Sequence, residues 1–196
     1  MKNFLLASGF ICVMMIAGCA NSPPTKFYML SSPPDIGEMT GKTDDGCPTV
    51  GVGPIELPQY LTRAQIATST SENEISYAEF DQWAQPLPGN FSHVMTQNLS
   101  KLTCAKTIYQ FPWIMPEHPD YRVRVQVITM TGNPGGKAFL DAWWMVSGSK
   151  ENKVIVSKRS SYSEPVQGQD YGALVQAYSK ILASLSRDIA KAIPGR

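Results

Sequence analysis

The stretch Ile16-Ala17-Gly18-Cys19 has the residue types and spacing for acyl chemistry at a new N-terminus. Before it, Lys2 and a thirteen-residue apolar run from Phe4 to Ile16 have the order of an export signal, closed by two small residues that a signal peptidase accepts. The run is too short to span a bilayer, which needs about 20 apolar residues. Cleavage would leave the thiol and the amine of Cys19 open to acylation, and several acyl chains at about 0.8 kcal/mol per buried CH₂ hold a domain on a membrane. The alternative is an ordinary secretory leader that ends beside a chance cysteine.

Two other segments match the sequence motif of a reactive site but lack the secondary structure that the site requires. Ser147-Gly148-Ser149-Lys150 matches a Ser-x-x-Lys nucleophile motif, but that chemistry needs the serine at a helix start, and these residues have the composition of a hairpin loop. Gly51 and Gly53 could open a phosphate-binding turn, yet no third glycine and no helix follow. We interpret the glycines as a place where the backbone bends or another element comes close. The sequence therefore predicts no catalytic residues and no enzyme.

The cysteines and histidines predict no metal site and no cofactor. One cysteine leaves with the leader and Cys19 is acylated, so Cys47 and Cys104 remain. In an oxidising compartment such a pair predicts a disulfide, which would stabilise the fold by about 4 kcal/mol on the chain-entropy model. The alternative is two separately buried thiols. The two histidines, His93 and His118, lack ligand spacing from a cysteine, and His93 is expected on a helix surface.

Length and charge predict one neutral exported domain. We divide the chain into a signal peptide at residues 1–18, a lipidated tether at 19–25 and a domain at 26–196. Without the leader the chain has 16 basic and 16 acidic residues, so no basic patch indicates nucleic acid. The six residues between Cys19 and Lys26 reach about 20 Å at ~3.3 Å per residue. The domain should therefore lie close to the membrane.

Hydrophobic periodicity predicts a single α+β domain, with a mainly antiparallel β-sheet and two amphipathic helices packed on one face. The helices are expected at 87–102 and 170–193, and their apolar stripes favour packing on the sheet over lying in a membrane surface. A surface loop is expected at 31–46. Strands are expected at 26–30, 64–68, 75–78, 107–110, 121–127, 138–146 and 153–162. The last three read as an antiparallel meander. A further strand is expected to begin at Thr49 and to be ended by the two prolines that follow, Pro54 and Pro58.

The tryptophans indicate which surfaces of the domain must pack against another element or a partner. Trp143 and Trp144 must point to opposite faces of a strand, so one of them requires a second layer or a partner. Trp83 is either a partner contact or a core residue, and a large aromatic is buried by default. The segment Trp113-Ile114-Met115, which prolines flank, either folds back on the core or forms a contact surface.

The chain resembles the ABC-type transport auxiliary lipoproteins, also called the PqiC family. The resemblance rests on five segments in the family's order: Phe27-Tyr28-Met29-Leu30, Val50 to Arg63, Phe80-Asp81-Gln82-Trp83-Ala84-Gln85-Pro86-Leu87, Asn98-Leu99-Ser100-Lys101-Leu102 and the strand that carries the paired tryptophans. It implies an outer-membrane lipoprotein, facing the periplasm, that works with an inner-membrane-anchored protein carrying MCE (mammalian cell entry) domains. Such systems are thought to move lipids or other hydrophobic molecules and to maintain membrane integrity. Ala20, where an aspartate would signal retention, looks like the outer-membrane sorting signal.

From this resemblance we expect a non-catalytic docking subunit. Whether the chain also forms a homo-oligomer is left open by the sequence. The contact residues that we predict are Tyr60, Arg63, Phe80, Trp83 and Gln85.

Two other functions remain as alternatives. One is a lipoprotein activator of a peptidoglycan synthase, although such activators usually need a longer tether than six residues. The other is a hydrolase that uses Ser147 or Ser149.

Overall fold

The computed structural model describes residues 22–37, 46–71, 73–113, 118–149 and 153–195. The predicted signal peptide, Cys19 and Ala20 lie outside these ranges, as do Ile114, Met115 and Lys150. The described residues form an α+β fold of two mixed sheets and two helices, which confirms the predicted fold class.

Eight strands form the two sheets. The strands are β1 Lys26–Tyr28, β2 Thr49–Glu56, β3 Gln65–Ser71, β4 Glu74–Trp83, β5 Thr107–Gln110, β6 Tyr121–Gly132, β7 Lys137–Gly148 and β8 Val154–Pro165. The larger sheet has the order β5-β2-β6-β7-β8, and the smaller has the order β1-β4-β3. A short 3-10 turn, Gln59–Leu61, connects β2 to β3.

The meander β6-β7-β8 is antiparallel, as its alternating sequence predicts. On β6, Val123, Val125 and Val127 are buried, while Arg124 and Gln126 between them are exposed. This period of two requires one covered and one open face.

The helices α1, Leu87–Leu102, and α2, Tyr171–Ala192, cover that face at nearly the predicted boundaries. Asp170 caps α2 by accepting a hydrogen bond from the Ala173 amide at 2.7 Å. The apolar stripe of α2 packs on the sheet, which excludes the alternative that it lies in a membrane surface.

The paired glycines of β2 are places of close approach, as predicted. A Cβ on Gly51 would lie 2.7 Å from Pro119 Cγ and 3.1 Å from Cη2 of Trp113. Gly53 has φ +119°, and its Cβ would lie 2.5 Å from Phe111 Cβ. Of the segment 113–115, the structure thus places Trp113 against β2.

Three local expectations need correction. The smaller sheet is separate because β1 pairs in parallel with β4, a long-range pairing that periodicity does not report. Strand β2 continues through Pro54 to Glu56, because the proline lies at a register shift where the ladder needs no amide donor. The described part of the predicted 31–46 loop, residues 31–37 and Gly46, is a loop but does not lie wholly at the surface: Pro33 and Ile36 are buried, and the Ile36 carbonyl accepts a hydrogen bond from Arg187 Nε at 3.2 Å.

Candidate functional site

Tyr60 and Arg63, two of the predicted contact residues, line one groove of about 420 Å³ with Gln59, Thr62 and Tyr77. We call it the Arg63 groove. The Arg63 guanidinium lies 4.5 Å from the centroid of the Tyr77 ring, within the range of a cation–π interaction. Arg63 is exposed, so this contact holds a positive charge at the surface.

The wall of the Arg63 groove is fixed by hydrogen bonds. The Tyr60 hydroxyl accepts from the Met130 amide at 3.1 Å and donates to the Met130 carbonyl at 3.2 Å, which ties the 3-10 turn to β6. Burial raises the pKa of Tyr60. The Tyr77 hydroxyl donates to the Tyr60 carbonyl at 3.4 Å. The sequence reasoning missed Tyr77 as a groove residue; the available signal was an aromatic residue on the strand predicted at 75–78.

The other three predicted contact residues lie elsewhere. Trp83 is 6% exposed and belongs to the core, which favours the core interpretation of this side chain over the contact interpretation. Phe80 is half-buried on β4, and Gln85 is exposed just before α1. Neither Phe80 nor Gln85 lines the Arg63 groove.

A second groove, of about 460 Å³, lies on the open face of the larger sheet around Trp143. Its lining residues are Pro54, Glu56, Arg124, Val125, Gln126, Trp143, Trp144, Met145 and Ser157. We call it the Trp143 groove. As predicted, the two tryptophans take opposite faces: Trp144 is 3% exposed and its Nε1 donates to Ser160 Oγ at 3.0 Å, whereas Trp143 is 46% exposed.

A buried carboxylate lies on the same strand as Trp143. Arg159 Nε lies 3.1 Å from both carboxylate oxygens of Asp141, and Ser161 Oγ donates to Asp141 Oδ1 at 3.0 Å. The Arg159 hydrogen bonds hold the pKa of Asp141 below its usual value. Every oxygen of this carboxylate has a partner, so the cluster organises the β7–β8 surface rather than offering a free base.

The two cysteines lie at the same end of the molecule but are present as thiols. Cys47 lines a cleft with Pro48, Pro194 and Gly195, and Cys104 lines another with the same three residues. The predicted disulfide is therefore not confirmed, and it stays a prediction.

The residues weighed for catalysis do not assemble in the described part of the chain. Ser147 is buried near the end of β7, and Ser149 lies in the following turn, not at a helix start. His93 is exposed on α1 with its Nε2 3.1 Å from Gln97 Nε2, which confirms a surface histidine. Among the described residues no group of three or more His, Cys, Asp or Glu side chains could hold a metal ion.

The fold is an α+β domain with two surface grooves, and comparison with known proteins gives its family. The family model of the ABC-type transport auxiliary lipoprotein component matches residues 28–190. The chain belongs to this family, which confirms the resemblance drawn from the sequence. None of the curated proteins matches the chain.

Solved structures share the fold. One, an uncharacterised protein, superposes with a TM-score of 0.70 at 18% identity, covering 88% of this chain and all of its own. Another, protein XCC0632 from Xanthomonas campestris, gives a TM-score of 0.69 at 12% identity, covering 85% of this chain and 93% of its own. Among the described residues, no helix has the length and apolar character needed to cross a membrane.

Proposed function

We propose that this chain is a periplasmic lipoprotein, anchored in the outer membrane through Cys19, that serves as the non-catalytic docking subunit of an MCE-type lipid transport system. The observation that carries the proposal is the family match over residues 28–190, which makes the chain an auxiliary component of a transporter. The finer assignments, to the outer membrane and to an MCE-domain partner, come from Ala20 and from the sequence resemblance.

The Arg63 groove is the docking surface that the contacts favour. Arg63 is exposed and its guanidinium is oriented by the Tyr77 ring, while the Tyr60 hydroxyl is held by Met130. A positioned arginine beside aromatic rings is the composition that dominates protein–protein contacts. The groove therefore offers a rigid cationic and aromatic surface to an acidic or carbonyl-rich segment of the partner.

The test uses the full chain in cells, with Arg63→Glu compared with Lys158→Glu, an equal charge reversal on exposed β8. After crosslinking in vivo and extraction in detergent, the MCE-domain protein is quantified with the captured chain. Interface arginines that dominate binding cost about 2 kcal/mol or more when lost, so we expect a drop of roughly 30-fold for Arg63→Glu. Lys158→Glu should capture as much as the wild type.

Equal capture by both variants would remove the Arg63 groove from the interface. A peptidoglycan synthase in place of the MCE-domain protein would favour the activator alternative. Labelling of Ser147 or Ser149 by an active-site serine probe would favour the hydrolase. Trp83→Ala is unsuitable for this test, because that side chain is buried and its loss would destabilise the fold.

A further inference from the structure

Phe27 and Met29 are the most exposed large hydrophobic side chains among the residues that the structure describes, at 63% and 53%. They lie on and just after β1, the first strand of the domain, and exposed Lys26 precedes them. We call Phe27 and Met29 the β1 patch. Apolar side chains this exposed need an explanation when they occur together.

The β1 patch faces away from the domain. Tyr28, between the two apolar residues, points inward: its hydroxyl donates to Asp81 Oδ1 at 2.6 Å, and burial with this hydrogen bond raises the pKa of Tyr28 to about 12. Because successive side chains on a strand alternate, Phe27 and Met29 project together from the opposite side.

Hydrogen bonds fix the patch in this position. Directly after it, the Leu30 amide donates to Asn90 Oδ1 at 2.7 Å, and Asn90 Nδ2 donates to the Leu30 carbonyl at 3.3 Å. The Ser31 amide donates to Ser179 Oγ at 3.1 Å. The chain is thus held on both α1 and α2, and the patch cannot turn inward without breaking buried hydrogen bonds.

The length of chain before β1 indicates what covers the patch. Phe27 comes eight positions after Cys19, so it lies at most about 26 Å from the acylated residue at ~3.3 Å per residue. The bilayer that holds the acyl chains is therefore always within reach of the patch. Apolar side chains with a neighbouring basic residue are the composition that lies at the headgroup boundary.

We propose that the β1 patch inserts into the membrane to which Cys19 is anchored, with Phe27 and Met29 at the boundary between headgroups and acyl chains. This inference rests on the acylation of Cys19.

The test places a photocrosslinking phenylalanine analogue at position 27 or 29 of the full-length exported protein. The control carries it at Trp143, an aromatic side chain that is 46% exposed on the open sheet face. After irradiation of intact cells, we expect several-fold more lipid adducts at positions 27 and 29 than at 143. The intact mass of the same protein reports whether Cys19 is acylated.

Equal lipid adducts at the three positions would overturn the proposal. So would adducts at 27 and 29 that join a second copy of the chain or another protein, because the patch would then be a protein interface. An intact mass that shows no acyl chains on Cys19 would also overturn the proposal, because the proposal assumes that Cys19 is acylated. The adduct outcomes do not bear on the capture of an MCE-domain protein through Arg63, so the patch and the Arg63 groove can fail separately. An unacylated Cys19, by contrast, would contradict the anchor that both proposals include.

Discussion

At the scale of single residues, hydrogen bonds from buried polar side chains fix segments of the chain that apolar packing alone does not fix. The Asn90 side chain is 1% exposed and makes the same pair of hydrogen bonds that a neighbouring strand would make. It accepts a hydrogen bond from the Leu30 amide and donates one to the Leu30 carbonyl. Leu30 is itself buried, so both of its backbone groups depend on this one side chain in place of water. Asn90 therefore connects the start of the domain to α1.

Asn90→Ala should lower the free energy of unfolding by about 2–4 kcal/mol, because it leaves a buried donor and a buried acceptor unsatisfied at about 1–3 kcal/mol each. Urea denaturation measures the change. Gln97→Ala, on the exposed side of the same helix, is the control and should shift stability by less than about 0.5 kcal/mol. Equal effects of the two changes would show that the Asn90 hydrogen bonds contribute nothing.

Asp141 gives the fold a pH dependence. Its folded pKa lies below the value of about 3.9 in an unfolded chain, so its contribution is full above that value and is lost as the pH falls through the folded pKa. Asp141→Asn should cost about 1 kcal/mol at pH 7, less than a fully buried charged hydrogen bond, because Arg159 is half exposed.

The difference between wild type and Asp141→Asn, measured by thermal unfolding, should therefore narrow on going from pH 6 to pH 3. A difference that stays constant over this range would contradict the assigned ionisation. Ser157→Ala, on the neighbouring strand and exposed, should show no such pH dependence.

At the scale of elements, glycines mark where β2 meets the segment that follows β5. The Trp113 ring and Pro119 lie over Gly51, and a side chain there would collide with both. Gly89 is exposed in the first turn of α1, and a Cβ there would point into open space. The same substitution should therefore have opposite effects at these two positions.

Gly51→Ala should destabilise the fold by about 1–3 kcal/mol through overpacking. Gly89→Ala should stabilise it by up to about 1 kcal/mol, because alanine is the better helix former. Chemical denaturation of the two variants side by side measures both signs. Stabilisation by Gly51→Ala would mean that Trp113 and Pro119 do not pack on β2 in solution.

At the scale of the whole molecule, two cysteines lie near the end of α2 and could join the start of β2 to the segment before β5. We predict that Cys47 and Cys104 are bonded in the exported protein, where the bridge would contribute about 4 kcal/mol on the chain-entropy model. Alkylation without reduction, read by intact mass, should then modify neither residue.

The stabilities of two serine variants distinguish a disulfide bond from two free thiols. If the bond forms, Cys47→Ser and Cys104→Ser should destabilise the protein about equally, since either change opens the same loop. If both remain thiols, Cys104→Ser should cost more, because Cys104 is 8% exposed and Cys47 is only half-buried. That second pattern would contradict the predicted disulfide.

The sequence by itself determined the features that local periodicity encodes. Apolar residues three and four apart gave both helices nearly to the residue, and alternation gave the meander β6-β7-β8. The glycines of β2 indicated a close approach without naming the partner. These features were predictable because burial repeats along a helix or strand with a fixed period, whatever covers it.

Only the tertiary structure decided the pairings between distant segments. It paired β1 with β4, placed Tyr77 under Arg63, buried Trp83 and left Trp143 on the open sheet face. A one-dimensional pattern shows that a residue needs cover, but which segment supplies the cover depends on strand register and long-range packing. For this reason the sequence predicted a docking domain, whereas the shape of the Arg63 groove and the exposure of the β1 patch came from the folded chain.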